Sequence, residues 1–300
     1  MYFPVADLEI SPFIPPLVAC CISFFTSMAG VSGAFLLLPF QVSVLGFNSP
    51  AVSSTNHLFN VIAIPSGIYR FIKEGRMVWP LTWLVVIGTL PGVLGGVLIR
   101  VSYLPSPKAF KIFVGLVLLY IGIKLLLDII HKKQKRKQAE PQQQNEASKF
   151  AISDTRLTWK SMQYRFEGTM YQANTFSIIS LSLIVGLVGG IYGIGGGAII
   201  APFFVTFFHL PIHTVAGASL MGTLITSAAG VAFFQILSCF PLAAMQQIAP
   251  DYRLGLLFGA GGAVGIYLGA RAQRYFSARL IKIILACGLF FTAGSYLIPK

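Results

Sequence analysis

Two short stretches carry the residues best suited to hold a ligand. GVSGAFLLLPF occupies 30–40 and GIGGGAIIAPF occupies 193–203, each setting glycines ahead of apolar residues and a proline. Clustered glycines followed by proline favour local unwinding of a helix. An unwound stretch frees backbone N–H groups, which attract anions together with the N-terminus of the helix that follows. Gly30, Ser32 and Gly33 in the first stretch, and Gly193, Gly195, Gly196 and Gly197 in the second, are therefore candidate backbone ligands for a small anion. Asn56 and Asn60, like Ser219 and Thr223, are spaced one helical turn apart and share a face. Their amides and hydroxyls can solvate an oxyanion without a fixed opposite charge, so release stays possible.

Other chemistries fit less well. His57 is the one attractive candidate for a proton relay near neutral pH, with a neutral, hydrogen-bonded packing role as the alternative. Gly30-Val31-Ser32-Gly33 spells the G-x-S-G of rhomboid-type intramembrane serine proteases, and Ser32 with His57 would form the dyad. The corresponding positions of the second stretch hold Gly195 and Leu220, which cannot do this. GIGGGA also satisfies a relaxed dinucleotide pattern, yet the next acid is Asp251 and Pro202 interrupts the required helix, so that reading fails. The four cysteines, at 20, 21, 239 and 287, have neither zinc-site nor disulfide-framework spacing. Neither a metal nor a cofactor is expected, nor an enzymatic reaction.

The elements that must position these residues are membrane helices. Hydrophobic residues make up 55% of the 300, charged residues only 10%. Several runs of about twenty residues are almost free of charge, the length that crosses a hydrocarbon core of roughly 30 Å. The reading is an all-α polytopic protein with about eight transmembrane helices, near 13–29, 50–70, 78–99, 110–130, 176–192, 214–238, 252–272 and 279–298. The shorter apolar pieces 34–47 and 197–210 either extend the preceding helix or fold as broken or re-entrant segments. Without a basic region ahead of it, the first apolar run reads as a retained membrane helix rather than a cleaved leader. Residues 131–175 hold nine Lys or Arg against four acids, the mark of a cytoplasmic linker. The net charge of +13 thus points to membrane topology and lipid headgroups, not to nucleic acid, for which no reader module is present.

The chain divides into a first transmembrane repeat (1–130), the linker (131–175) and a second repeat (176–300). At an offset of 163, Gly30, Gly33, Pro39, Phe40 and Gly67 meet Gly193, Gly196, Pro202, Phe203 and Gly230, with nine identities over 42 positions. Asn56 then meets Ser219 and Asn60 meets Thr223. Duplication of this kind is a recurrent transporter architecture. Four spans per half would relate the repeats in parallel and put both termini in the cytoplasm; an odd number would invert them. Scattered glycines such as Gly92, Gly95, Gly96, Gly259, Gly261, Gly262 and Gly265 read as helix-packing positions.

The paired G-x-x-G…P motifs, in duplicated halves around a variable loop, resemble the TauE/SafE family of sulfite exporters. The second copy, GIGGGAIIAPFF followed by HLPIHTVAGASL, is the closer match; the first, followed by SPAVSSTNHLFN, has Ser32 in place of a glycine. The resemblance covers nearly all the chain outside 131–175. It implies an inner-membrane permease exporting small sulfur-containing or organic anions, such as sulfite, sulfoacetate and related sulfonates. A non-transporting membrane scaffold or sensor is the remaining alternative beside the protease.

Overall fold

A computed structural model describes residues 1–28, 30–104, 106–135, 152–240, 247–276 and 278–297. Ten α-helices follow one another among them. The first half holds α1 (Ile14–Met28), α2 (Ala34–Ser43), α3 (Ala51–Lys73), α4 (Trp79–Tyr103) and α5 (Pro107–Lys135). The second holds α6 (Thr175–Tyr192), α7 (Ile200–Phe207), α8 (Ile212–Ser238), α9 (Tyr252–Ala272) and α10 (Ala278–Leu297). All eight segments expected to be helical are helices. Of these, α4, α6, α8 and α9 are long and apolar enough to cross a membrane, while α1 and α2 are shorter apolar helices. Exposed side chains such as Phe13, Trp83, Ile184, Leu256 and Phe291 give the bundle an apolar exterior that hydrocarbon suits and water does not.

The fold is not purely helical. Within the stretch read as a linker, β3 (Ser153–Leu157), β4 (Ser161–Phe166) and β5 (Thr169–Asn174) form an antiparallel sheet; the polar run QAEPQQQNEAS lies outside the described residues. A two-residue pair, β1 (Tyr2–Phe3) with β2 (Leu8–Glu9), sits ahead of α1. The cause is local: Met162, Tyr164 and Phe166 alternate with Gln163 and Arg165, the period-two pattern of a half-buried strand. Glu167 and Gly168 both take positive φ, 51° and 76°, as a tight hairpin turn requires. Burial holds the Tyr164 phenol neutral by raising its pKa, and its hydroxyl lies 2.7 Å from Thr214 Oγ1 at the start of α8. Ile152 N–H donates to Gly75 O at 3.2 Å, so the sheet docks at the end where α3 stops and α8 starts.

Glycine contacts give the directions of the helices. Gly261, Gly265 and Gly269 of α9 press on the backbone of Pro16, Cys20 and Phe24, so α1 and α9 run parallel. Gly88, Gly92 and Gly96 of α4 press in the same way on α6, at Ile179, Leu183 and Leu187. A Cβ on any of these six glycines would come within 2.7 Å of the partner helix. That spacing of four is how small residues let membrane helices approach. Gly259 and Gly262 pack likewise on Ile62 and Phe59, whereas Gly95 meets only a Leu187 methyl at 3.4 Å. Gly255 on Leu58 and Gly67 on Ile266 make α3 parallel to α9. Phe71 beside Gly217 and His57 beside Gly230 make α3 and α8 antiparallel.

Hence α1, α3 and α9 point toward the sheet end, and α8 points away from it. Val85 of α4 lies beside Gly222 of α8, and Val93 and Val97 cluster with Phe234 farther along, so α4 and its partner α6 run with α8. Because α1 and α3 point the same way, α2 must carry the chain back between them; α7 does the same between α6 and α8. This arrangement gives each half five helices, one of them a short return between two longer ones, where four spanning helices were expected. It also puts the N-terminal segment, which donates from Ala6 N–H to Asp251 ahead of α9, at the end opposite the sheet. The N-terminal strands and the sheet of 153–174 sit at opposite ends of the bundle, not on one side. The C-terminus of α9 with Arg271 now joins Arg70, Lys73 and Arg76 at the sheet end. Arg100, Lys108 and Arg253 occupy the other.

Candidate functional site

The two glycine breaks meet between the antiparallel helices α3 and α8. The helix α6 ends in the left-handed Gly193 (φ 81°), whose N–H closes on Gly189 O; Gly30 after α1 has φ 70°. Only glycine adopts this conformation readily. A Cβ on Gly193 would stand 2.4 Å from Ser53 Cβ on α3, and one on Gly30 would stand 2.6 Å from Ala216 Cα on α8. Ser53 and Ala216 are themselves matched at the offset of 163. Each break is therefore pressed against the other half's long helix, at equivalent places.

All the polar candidates converge here and all are buried. Asn56 Nδ2 donates to Ala34 O at 3.0 Å and Gly193 O at 3.1 Å, so one amide ties both breaks together. Ser219 donates to Gly197 O at 2.8 Å, which matches the Asn56–Ala34 bond at the same offset. Asn60 Nδ2 donates to Ile194 O at 2.8 Å and to Ser227 Oγ at 3.1 Å, while its oxygen accepts from Ser32 Oγ. Thr223 departs from the pattern: its hydroxyl donates to Ser219 O on its own helix. Gly196 N–H donates to Thr226 Oγ1 at 3.0 Å. Among the described residues, the N–H groups of Ser32 and Gly33 in the first break, and of Gly195, Gly197 and Ile199 in the second, donate to no acceptor. These groups stand just ahead of α2 and α7.

Four further residues belong to the site. Gln41 Nε2 donates to Asn56 Oδ1 at 3.3 Å and holds that amide so that its NH2 faces the breaks. Tyr192 OH donates to Phe35 O at 2.9 Å, a second tie between halves. Thr89 packs its Cβ against Gly196, and Thr226 receives the Gly196 N–H. Gln41 and Tyr192 lie in runs dominated by apolar residues, where periodicity gives no signal. Thr226 lies one turn past Thr223, and its position in the repeat could have found it.

His57 is fully buried, with Gly230 against its ring and Phe234 6.0 Å away between centroids. Its matched residue, Leu220, lies near Gly67, which is matched to Gly230. The histidine thus fills the place of a leucine. Neither ring nitrogen has a hydrogen-bond partner, so the expected neutral, hydrogen-bonded state is not the one formed. The Ser32–His57 dyad is not formed either: Ser32 bonds Asn60 and receives Ala34 N–H at 3.2 Å. Among the described residues, no group of three or more His, Cys, Asp or Glu could hold a metal ion.

Comparison with known proteins accords with this geometry. The model of the sulfite exporter TauE/SafE family matches residues 16–296. The chain belongs to that family. Members of the TauE/SafE family are membrane transporters, and the apolar helices of this chain make it a multi-pass membrane protein. It is similar to the probable membrane transporter protein YdhB of Bacillus subtilis, 31% identical over 116 residues that cover 39% of this chain and 43% of that protein. A probable membrane transporter protein of Haemophilus influenzae is 31% identical over 119 residues, 38% of this chain and 41% of its own length. The chain thus aligns over less than half the length of these two relatives. A longer alignment joins it to the probable membrane transporter protein YunE of Bacillus subtilis, 23% identical over 277 residues, 88% of this chain and 92% of that one. No solved structure matches.

Proposed function

We propose that this TauE/SafE chain is an export permease of the cytoplasmic membrane for small sulfur-containing or organic anions, with sulfite, sulfoacetate and related sulfonates as substrates. One observation carries the reading: among the described residues, two matched helix breaks each leave N–H groups without acceptors, between helices of opposite direction. A buried N–H without a partner costs about 1–3 kcal/mol, so several at one locus mark a place built to meet an acceptor. Ser32, Gly33, Gly195, Gly197 and Ile199 supply those donors. Gly30, Gly193 and Gly196 let the breaks approach α8, α3 and α4. Asn56, Asn60 and Ser219 clamp the break carbonyls, keeping that partial negative charge away from the anion, while Thr223 packs against Gly195 and Gly197.

The halves act as inverted repeats of five helices, which is what the reciprocal contacts of Gly30 with Ala216 and Gly193 with Ser53 support. An inside-negative potential favours outward movement of a monoanion by about 2.3 kcal/mol per 100 mV, so export requires no other energy source. In proteoliposomes loaded with sulfite, sulfoacetate, thiosulfate or a simple carboxylate, flux of at least one sulfur oxyanion is expected, with competition among them. Flux indifferent to all four would refute the assignment.

The basic sheet end is the cytoplasmic one. A membrane-impermeant maleimide is therefore expected to label Tyr2→Cys from outside intact cells, in a background with the native cysteines replaced. It should label Thr158→Cys only after lysis. Labelling of both from one side would exclude this placement of the two ends.

A further inference from the structure

A second binding site lies away from the glycine breaks, on the apolar exterior between α5, α6 and α7. The three helices enclose a groove of about 420 Å³, within the range of small-molecule pockets, roughly 300–1,000 Å³. Leu116, Tyr120, Ile184 and Phe207 on its rim are exposed, so it opens sideways, toward the surroundings of the bundle. Its far end is lined by Phe113, Val188 and Ile199. At its sheet-end mouth stands Lys124, with its ammonium 4.9 Å from the Phe207 ring centroid and 6.0 Å from that of Tyr120. Lys124 shares a smaller adjoining recess with Thr206 and Pro202. From Phe113 to Lys124 the helix advances about 16 Å at 1.5 Å per residue, so the groove is long and narrow with one cationic end.

In a transporter this face meets hydrocarbon, and an apolar slot open to hydrocarbon takes an acyl chain. The ammonium at one end adds a demand for negative charge, at the end read as cytoplasmic. We infer that the groove is a binding site for one anionic phospholipid of the cytoplasmic leaflet, its acyl chain between α5, α6 and α7 and its phosphate on Lys124. The site has a mechanical consequence. Phe203 and Phe207, stacked at 6.1 Å, form one wall of the groove and belong to α7, the return helix directly after the Gly195–Gly197 break. An acyl chain in the groove presses α7 toward α8 and braces the break. The inference rests on the membrane assignment and not on the identity of the transported anion, so the flux experiment and the lipid experiment fail separately.

Native mass spectrometry of the full chain, exchanged from detergent into phosphatidylglycerol or phosphatidylcholine, tests it. The expected result is one retained phosphatidylglycerol per chain. A juxtamembrane lysine contributes about 1 kcal/mol toward an anionic lipid, so Lys124→Ala should cut the phosphatidylglycerol preference about fivefold. Val185→Phe, which fills the groove, should remove the retained lipid of either kind. Should Val185→Phe fail to fold, a phosphatidylglycerol with a photoreactive tail is to be crosslinked to the wild-type chain, with adducts expected on α5, α6 and α7. The inference is overturned if Lys124→Ala keeps the full preference, or if adducts fall elsewhere. It is equally overturned if the face is covered by a second copy, seen as a dimer that Val185→Phe dissociates, or if inorganic phosphate binds Lys124 as well as the lipid does.

Discussion

Replacing Gly196 by valine is expected to abolish anion flux while the protein still inserts into the membrane. Gly196 sits where the second break touches α4: a Cβ there would stand 2.5 Å from Thr89 Cβ and 3.1 Å from both Thr89 Cγ2 and Oγ1. Its N–H also donates to Thr226 on α8, so the residue is held from two sides. Overpacking such a contact costs about 1–3 kcal/mol, and the movement that relieves it carries Gly195 and Gly197 out of register with the first break. Insertion is unaffected because valine is as apolar as the segment around it. The effect should scale with contact, not with loss of glycine as such. Gly95→Ala, facing only a Leu187 methyl at 3.4 Å, is expected to leave flux unchanged. Gly196→Ala should be partly rescued by Thr89→Gly, which removes the carbon it would strike. Normal flux from well-expressed Gly196→Val, or no coupling between positions 196 and 89, would remove the second break from the site.

Much of this contact was legible before the fold. The offset of 163 that lines up Gly30 with Gly193 also pairs Ser53 with Ala216, Asn56 with Ser219 and Gly67 with Gly230. Each pair turns out to make the reciprocal contact. The comparison stops at the end of α8 for a physical reason. The contact glycines of α4 and α9, Gly88 with Gly261 and Gly96 with Gly269, are 173 apart, because the connection before α9 is longer than the one before α4. An ungapped alignment cannot cross that insertion, so the second pair of packed helices went unmatched. Helix direction was not legible either. Pieces of ten and eight residues are too short to be read as crossings, yet α2 and α7 reverse the chain, and that reversal sets the direction of the helices that follow. The sheet is a different omission. Met162, Tyr164 and Phe166 spell its period in full, but they lie among nine basic residues, and the charge of the stretch masked the alternation.

The asymmetry between the halves makes Asn60 the side chain with the largest expected effect. Its matched residue, Thr223, bonds only its own helix, whereas Asn60 bridges Ser32 in the first break, Ile194 in the second and Ser227 on α8. One amide therefore sets the separation of the two sets of N–H donors. Asn60→Ala leaves the Ile194 carbonyl and two hydroxyls without that partner, at about 1–3 kcal/mol for each group that stays unpaired. It is expected to lower thermal stability in detergent together with flux. Asn60→Asp keeps the shape but exchanges the NH2 donor for an acceptor facing the Ile194 carbonyl, and adds a charge costing roughly 2.5–3.5 kcal/mol at membrane depth. Beside a bound anion, that charge repels the substrate as well. Flux should fall further in Asp than in Ala at matched expression, and a cation should not replace the anion as the transported species. Asn60→Thr, which copies the other half, should also fail, because the copied hydroxyl turns back to its own helix. A role limited to packing predicts the reverse order, with Asp and Thr milder than Ala because they preserve more of the side-chain volume.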